Sequence, residues 1–121
     1  MHSIIETASY LAAADNAGMD EDECGKVVDA YSAKPDLGAV MSGTGGFRKE
    51  RFARPGKGKS GGVRVISFYH GKDYPVFLIT VFGKGDKDNL TKEERNALAK
   101  LAKTIIQGLG PKFGPKRGGR R

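Results

Sequence analysis

The sequence predicts an α+β fold, with an N-terminal helical hairpin and a C-terminal helix packed on an antiparallel β-sheet. Capped segments of helical periodicity occupy the first third of the chain. From Met41 the pattern breaks into three strand-like runs separated by Gly, Pro and Lys, and beyond Thr91 helical spacing returns. At 121 residues a single domain is expected. Residues 1–110 should form its body, and the basic tail 111–121 carries too few apolar side chains to fold alone.

Ile4 and Ile5 suit a short edge strand, and Thr7 is positioned to cap a helix through about Asn16, closed by Gly18. Asp20 and Glu23 form a capping pair; Cys24, Val27, Val28 and Tyr31 then follow at i, i+3, i+4, i+7 until Pro35 ends the helix. The short link Ala17 to Met19 makes these two helices a hairpin. Strands are expected over Phe47 to Ala53, Val63 to His70 and Val76 to Phe82, with links short enough for antiparallel neighbours. The last is apolar on both faces, Phe77, Ile79 and Val81 alternating with Val76, Leu78 and Phe82, so it should be central, covered on one side by helices and on the other at least partly. Thr91 and Glu94 form a second capping box. Leu98, Leu101, Ala102, Ile105, Ile106 and Leu109 then trace one helical face, which Gly108, Gly110 and Pro111 should terminate.

The net charge of +7 is unevenly distributed: residues 1–46 carry eight acids and two bases, a balance of −6, whereas residues 47–121 carry nineteen bases and six acids, a balance of +13. Concentrated Lys and Arg release counterions from a phosphate backbone, so nucleic acid is the first partner to consider for the basic part. No run is long and apolar enough to span a bilayer and the start shows no leader pattern, so a cytoplasmic protein without membrane contact is expected. Cys24 is the single cysteine, which excludes an internal disulfide and suits a reducing compartment; at its helical spacing it reads as a small buried hydrophobe. No His, Cys, Asp and Glu cluster has metal-ligand spacing, and His2 and His70 are poorly disposed for a paired acid and base, so neither metal nor cofactor is expected.

The richest stretch is Gly43 to Arg64, GTGGFRKERFARPGKGKSGGVR, where glycines set beside bases let backbone approach a phosphate chain. Gly58-Lys59-Ser60 ends like a nucleotide-binding P-loop, but Ala53 stands where that motif needs glycine and a strand follows instead of a helix.

The GTGG and GKGKSGG blocks, the PDLG turn at Pro35 to Gly38 and the run PVFLITVFGKGDKDNLTKEERNALAKLAK resemble the HigB branch of the RelE superfamily of toxins, over about Asp20 to Gln107. The resemblance implies a RelE-like α+β fold whose sheet face engages RNA, and the toxin half of a type II toxin–antitoxin pair. Relatives cleave messenger RNA, commonly in the ribosomal A site, by attack of the ribose 2′-hydroxyl on the adjacent phosphate. A cognate antitoxin, of helix-turn-helix type in many such systems, is implied as partner.

This reaction asks for a base at the 2′-hydroxyl, a cationic clamp for the five-coordinate phosphate and an acid at the leaving 5′-oxygen. Lys and Arg can cover all three, because like charges about 4 Å apart repel by roughly 4 kcal/mol at an effective dielectric near 20, enough to pull a clustered lysine down from its ordinary pKa of about 10.4. By resemblance, Arg64 is assigned to the phosphate clamp, its guanidinium fork matching phosphate oxygens. Lys57 and Lys59 are alternative bases, and Lys84 is the acid or a phosphate ligand. Arg48, Lys49, Arg51, Arg54 and Lys87 are assigned to RNA contacts. The chain departs from the pattern after Lys84, where Gly85-Asp86-Lys87-Asp88 lacks the tyrosine that stacks on substrate in relatives. Phe113 could stack instead, whereas Tyr69, on strand parity with Val63 and Val65, reads as core. Glu50, between Lys49 and Arg51, is expected in an edge salt bridge. The rival class is a basic RNA- or ribosome-binding module without catalysis. A DNA reader lacks support, because the strongest helix sets its bases across from a core stripe.

Overall fold

The computed structural model describes residues 2–54, 62–83 and 90–113, with side chains through Gly108. The elements run β1 (Ile4–Glu6), α1 (Ala8–Asn16), α2 (Glu21–Ala33), β2 (Ala39–Val40), β3 (Phe47–Phe52), β4 (Val63–Tyr69), β5 (Val76–Gly83) and α3 (Lys92–Phe113). The five strands form one sheet in the order β1-β5-β4-β3-β2.

The expected α+β architecture is present, with one change in the sheet. The β5-β4-β3-β2 part is antiparallel, but β1 joins β5 in parallel, Ile4 opposite Val76 and Glu6 opposite Leu78, so the sheet is mixed. The chain between β1 and β5 is long enough to permit a parallel return. The two-residue β2 at the far edge falls below the length at which apolar alternation can be read.

Helix boundaries follow the capping chemistry. Thr7 Oγ1 accepts from Tyr10 N, and Asp20 and Glu23 exchange side chain and backbone bonds in a complete capping box. Thr91 and Glu94 do the same ahead of α3. The third helix outlasts its expected stop at Gly108 to Pro111 and continues to Phe113, so the first residues of the presumed tail are helical.

The sheet is sandwiched. On one face α1 and α2 bury Tyr10, Ala14, Val27 and Tyr31 against Val63, Val65, Val76, Leu78 and Val81. On the other, α3 brings Ala102, Leu98 and Ile105 onto Phe47, Ile66, Phe68 and Ile79, with Phe77 and Phe82 alongside. Both faces of β5 are therefore covered, as its composition predicts, but the alternation is not the simple one. Ile66 opposes Thr80 and Ser67 opposes Leu78, which leaves Ile79 without a partner on β4. This bulge sends Val81 to the α1/α2 face and Phe82 to the α3 face, the reverse of strict period-two parity. The Ile79 carbonyl accepts a hydrogen bond from Ser9 Oγ at 2.6 Å, so α1 satisfies a group at the irregular step.

The GTGG block serves this packing. Gly45, at φ +81°, lets the turn press against α3: a Cβ there would sit 3.1 Å from Ala102 Cβ. Thr44, fully buried, donates to Met41 O at 2.7 Å and accepts from Phe47 N at 3.1 Å. At Gly45 the close approach that glycine allows is to the chain's own helix.

Candidate nucleic-acid interface

Strand parity sorts the basic residues. Phe47 faces α3, so Lys49 and Arg51 on β3 point to the same side. Arg64 shares that side with Ile66 and Phe68. Arg51 and Arg64 are direct register partners, and Lys49 is opposite Ile66. Arg51 is exposed, whereas Lys49 and Arg64 are half-buried. Three cations thus converge at one end of one sheet face. Like charges directly opposed across a strand pair are destabilising. A bound phosphate would turn the repulsion into attraction.

The same end of the sheet gives rise to the two lysine-bearing connections. Phe52 pairs with Val63 and Val63 with Gly83, so the segment after Arg54 and the segment after Gly83 both leave the sheet there. Lys57, Lys59, Lys84 and Lys87 themselves lie outside the described residues.

Two residues expected at RNA are engaged elsewhere. Arg54 forms a salt bridge with Glu23, its Nη2 lying 3.0 Å from Glu23 Oε1, and donates to Ala17 O and Gly18 O at 3.0 Å each. The Glu23 carboxylate holds the Arg54 guanidinium pKa above its ordinary value despite partial desolvation. Arg54 therefore ties the end of β3 to the α1–α2 turn. Arg48, one residue out of phase with Lys49, donates from Nη1 to Asp36 O and Gly38 O at 3.1 Å each and fastens the turn that follows α2. Charge counting could not separate these two from Arg51, because the distinction is one of strand parity and of which carbonyls come within reach.

Other expectations resolve similarly. Tyr69 packs with the α1/α2 layer and meets His2 edge-on at 5.3 Å, as parity indicates. His2 hydrogen-bonds Tyr74 O, and His70 meets Tyr74 edge-on at 4.7 Å. His70, just past the end of β4, is six residues from Arg64, about 20 Å at strand rise. Glu50 sits on the α1/α2 face, where its charge adds to the rise of the Tyr31 phenol pKa, and among the described residues it forms no ion pair. Cys24 is half-buried and its thiol pKa is raised, chiefly by burial, which fits a packing role. The Phe113 side chain lies outside the described residues.

Among the described residues no group of three or more His, Cys, Asp or Glu could hold a metal ion, and no helix is long and apolar enough to cross a membrane. The family model described as the RelE toxin of the RelE / RelB toxin-antitoxin system matches residues 11–110, a span that takes in α2, strands β2 to β5 and the basic sheet end. The match covers most of the chain, and the protein belongs to the RelE toxin family of toxin–antitoxin systems, in which a toxin is paired with a cognate antitoxin.

Proposed function

We propose that this toxin is an endoribonuclease of the HigB-like branch that cuts messenger RNA in the ribosomal A site. The observation that carries the reading is the register pairing of Arg51 with Arg64 on one sheet face. Two guanidiniums on rigid strands can bind the non-bridging oxygens of a phosphodiester as negative charge builds up in the five-coordinate transition state. In the proposed reaction the ribose 2′-oxygen loses its proton to Lys57 or Lys59 and attacks the adjacent phosphorus. The bond to the 5′-oxygen breaks, leaving a 2′,3′-cyclic phosphate, and the 5′-oxygen takes a proton from Lys84. The nucleophile belongs to the substrate, so this scheme requires no metal or cofactor. Lys49 and Lys87 are assigned to positioning the RNA backbone.

The antitoxin is proposed to be a helix-turn-helix protein that masks or distorts the basic face. The test is incubation of purified toxin with a defined messenger RNA, with and without translating ribosomes, and mapping of 5′ ends for wild type and Arg64→Ala. Cuts confined to the ribosome lane and lost in the variant are expected. Confirmed RNA binding with no cuts by wild type in either lane would replace the nuclease by a non-catalytic RNA-binding module.

A further inference from the structure

Helix α1 is apolar on the side turned away from the sheet as well as on the side packed against it. Tyr10 and Ala14 are buried on the inner side. On the outer side Ala8, Leu11, Ala12 and Asp15, spaced i, i+3, i+4, i+7, are exposed. Leu11 is 50% exposed, and Ile5, on β1 just before the helix, is 41% exposed. No charged residue occurs from Ala8 to Ala14. A helix that is apolar all round is normally covered all round, and an exposed apolar strip with a polar rim marks a surface for another protein.

The rim of this strip has one sign. Glu6 and Asp15 stand at its two ends, and Asp20, Glu21 and Asp22 follow beyond the α1–α2 turn, all exposed. No Lys or Arg precedes Lys26 in the chain. Cations that approach from elsewhere are matched by acids: Arg54 at the turn by Glu23, and Lys72, which lines a hollow with Ile5, by the adjacent Asp73. Such a rim repels nucleic acid, and a second copy laid α1 against α1 would set acid against acid. A basic segment is the complementary partner. At the C-terminal end of α1, Asn16 and Ala17 border a hollow of about 150 Å³ whose other wall is Val81 and Phe82. Phe82 is the register partner of Arg64, so the strip leads to the arginine end of the sheet without including an arginine.

We infer that the outer face of α1 is the anchoring surface for the antitoxin. The antitoxin lays along it an apolar segment flanked by Lys and Arg, covers Leu11, and sets an aliphatic side chain into the hollow beside Phe82. The inference rests on the reading that an antitoxin controls this chain, and it is independent of how RNA is cut. An anchor that ends beside Phe82 brings the remainder of the antitoxin within reach of the basic face, while Arg51 and Arg64 themselves stay outside the contact.

The test uses the full-length toxin and its cognate antitoxin, co-expressed, separated and titrated by calorimetry for wild type, Leu11→Arg, Asp15→Lys and Arg51→Ala. Leu11→Arg, at an exposed position, keeps the fold but removes an apolar contact and repels a basic segment; it should weaken the complex by about 10- to 100-fold. Asp15→Lys should slow association at low salt and lose its effect at high salt. Arg51→Ala should leave the affinity unchanged. Hydrogen exchange on the wild-type complex should show new protection in α1, a readout that depends on no variant. Full affinity in Leu11→Arg, or a wild-type complex without protection in α1, would move the antitoxin to another face and overturn the inference while leaving the pairing intact. Toxin alone that sediments as a dimer, and as a monomer after Leu11→Arg, would give the strip to a second copy instead. A wild-type toxin that binds no antitoxin would overturn the pairing itself.

Discussion

Arg51 and Arg64 face each other across the β3–β4 ladder, two guanidiniums at directly opposed positions on the sheet face that also carries α3. Opposed like charges weaken a strand pair, and a bound phosphate would attract both guanidiniums. Arg51→Ala should therefore leave stability unchanged or raise it by up to about 1 kcal/mol in urea unfolding. It should also weaken RNA binding and reduce the slope of log affinity against log salt by about 1. A variant that is less stable and binds RNA normally would remove Arg51 from the interface.

Arg54 gives the opposite expectation. Its side chain is 14% exposed and that of Glu23 is 19% exposed, and truncation would take the cation from a carboxylate that keeps its capping bond from Asp20 N, and the Arg54 donors from two backbone carbonyls. Hydrogen bonds to charged groups contribute about 1.5–3 kcal/mol each in mutational series, and their losses are not additive. Arg54→Ala should destabilise the fold by about 2–3 kcal/mol in urea titration, with RNA cleavage per folded molecule unchanged. Loss of cleavage at full stability would return Arg54 to the RNA contacts.

Alkaline pH should loosen the α1/α2 layer. Burial pushes the Tyr31 phenol up to about 12; the neighbouring Ser67 hydroxyl offsets part of the rise and Glu50 adds to it. An unfolded tyrosine ionises near pH 10, so above that pH the unfolded chain binds fewer protons than the native one. The stabilisation is complete below about pH 10 and is lost progressively up to about pH 12, at no more than about 1.4 kcal/mol per pH unit for this group. Tyr10, also buried, is raised in the same direction. Urea unfolding at steps from pH 9 to 12 should show this fall, with a shallower slope for Tyr31→Phe; equal slopes would assign the alkaline loss to other groups.

Gly45→Ala tests the seating of α3. The substitution meets both a left-handed φ of +81° and a contact of 3.1 Å to Ala102 Cβ. The backbone conformation alone costs a non-glycine residue about 1–2 kcal/mol. A fall in stability of about 1–3 kcal/mol is expected by thermal denaturation, together with hydrogen-exchange loss concentrated in α3. An unchanged melting curve would show that the turn has room to shift.

Much of this protein was legible residue by residue. Thr7, Asp20 with Glu23 and Thr91 with Glu94 mark their helix starts through bonds made within one turn, and such bonds need no knowledge of the rest of the fold. The strand-like runs of β3, β4 and β5 declared themselves in the same local way, and so did the charge imbalance that points to a polyanion. The packed molecule alone could show which arginine does what. Arg48, Arg51 and Arg54 are chemically identical and close in sequence, yet carbonyls of the α2–β2 turn and of the α1–α2 loop take two of them, leaving Arg51 on the face of Arg64. The bulge at Ile79 likewise exchanges the faces of Val81 and Phe82, because an unpaired residue reverses the parity of everything beyond it. Both outcomes depend on contacts between residues far apart in the chain, and neither periodicity nor composition encodes such contacts.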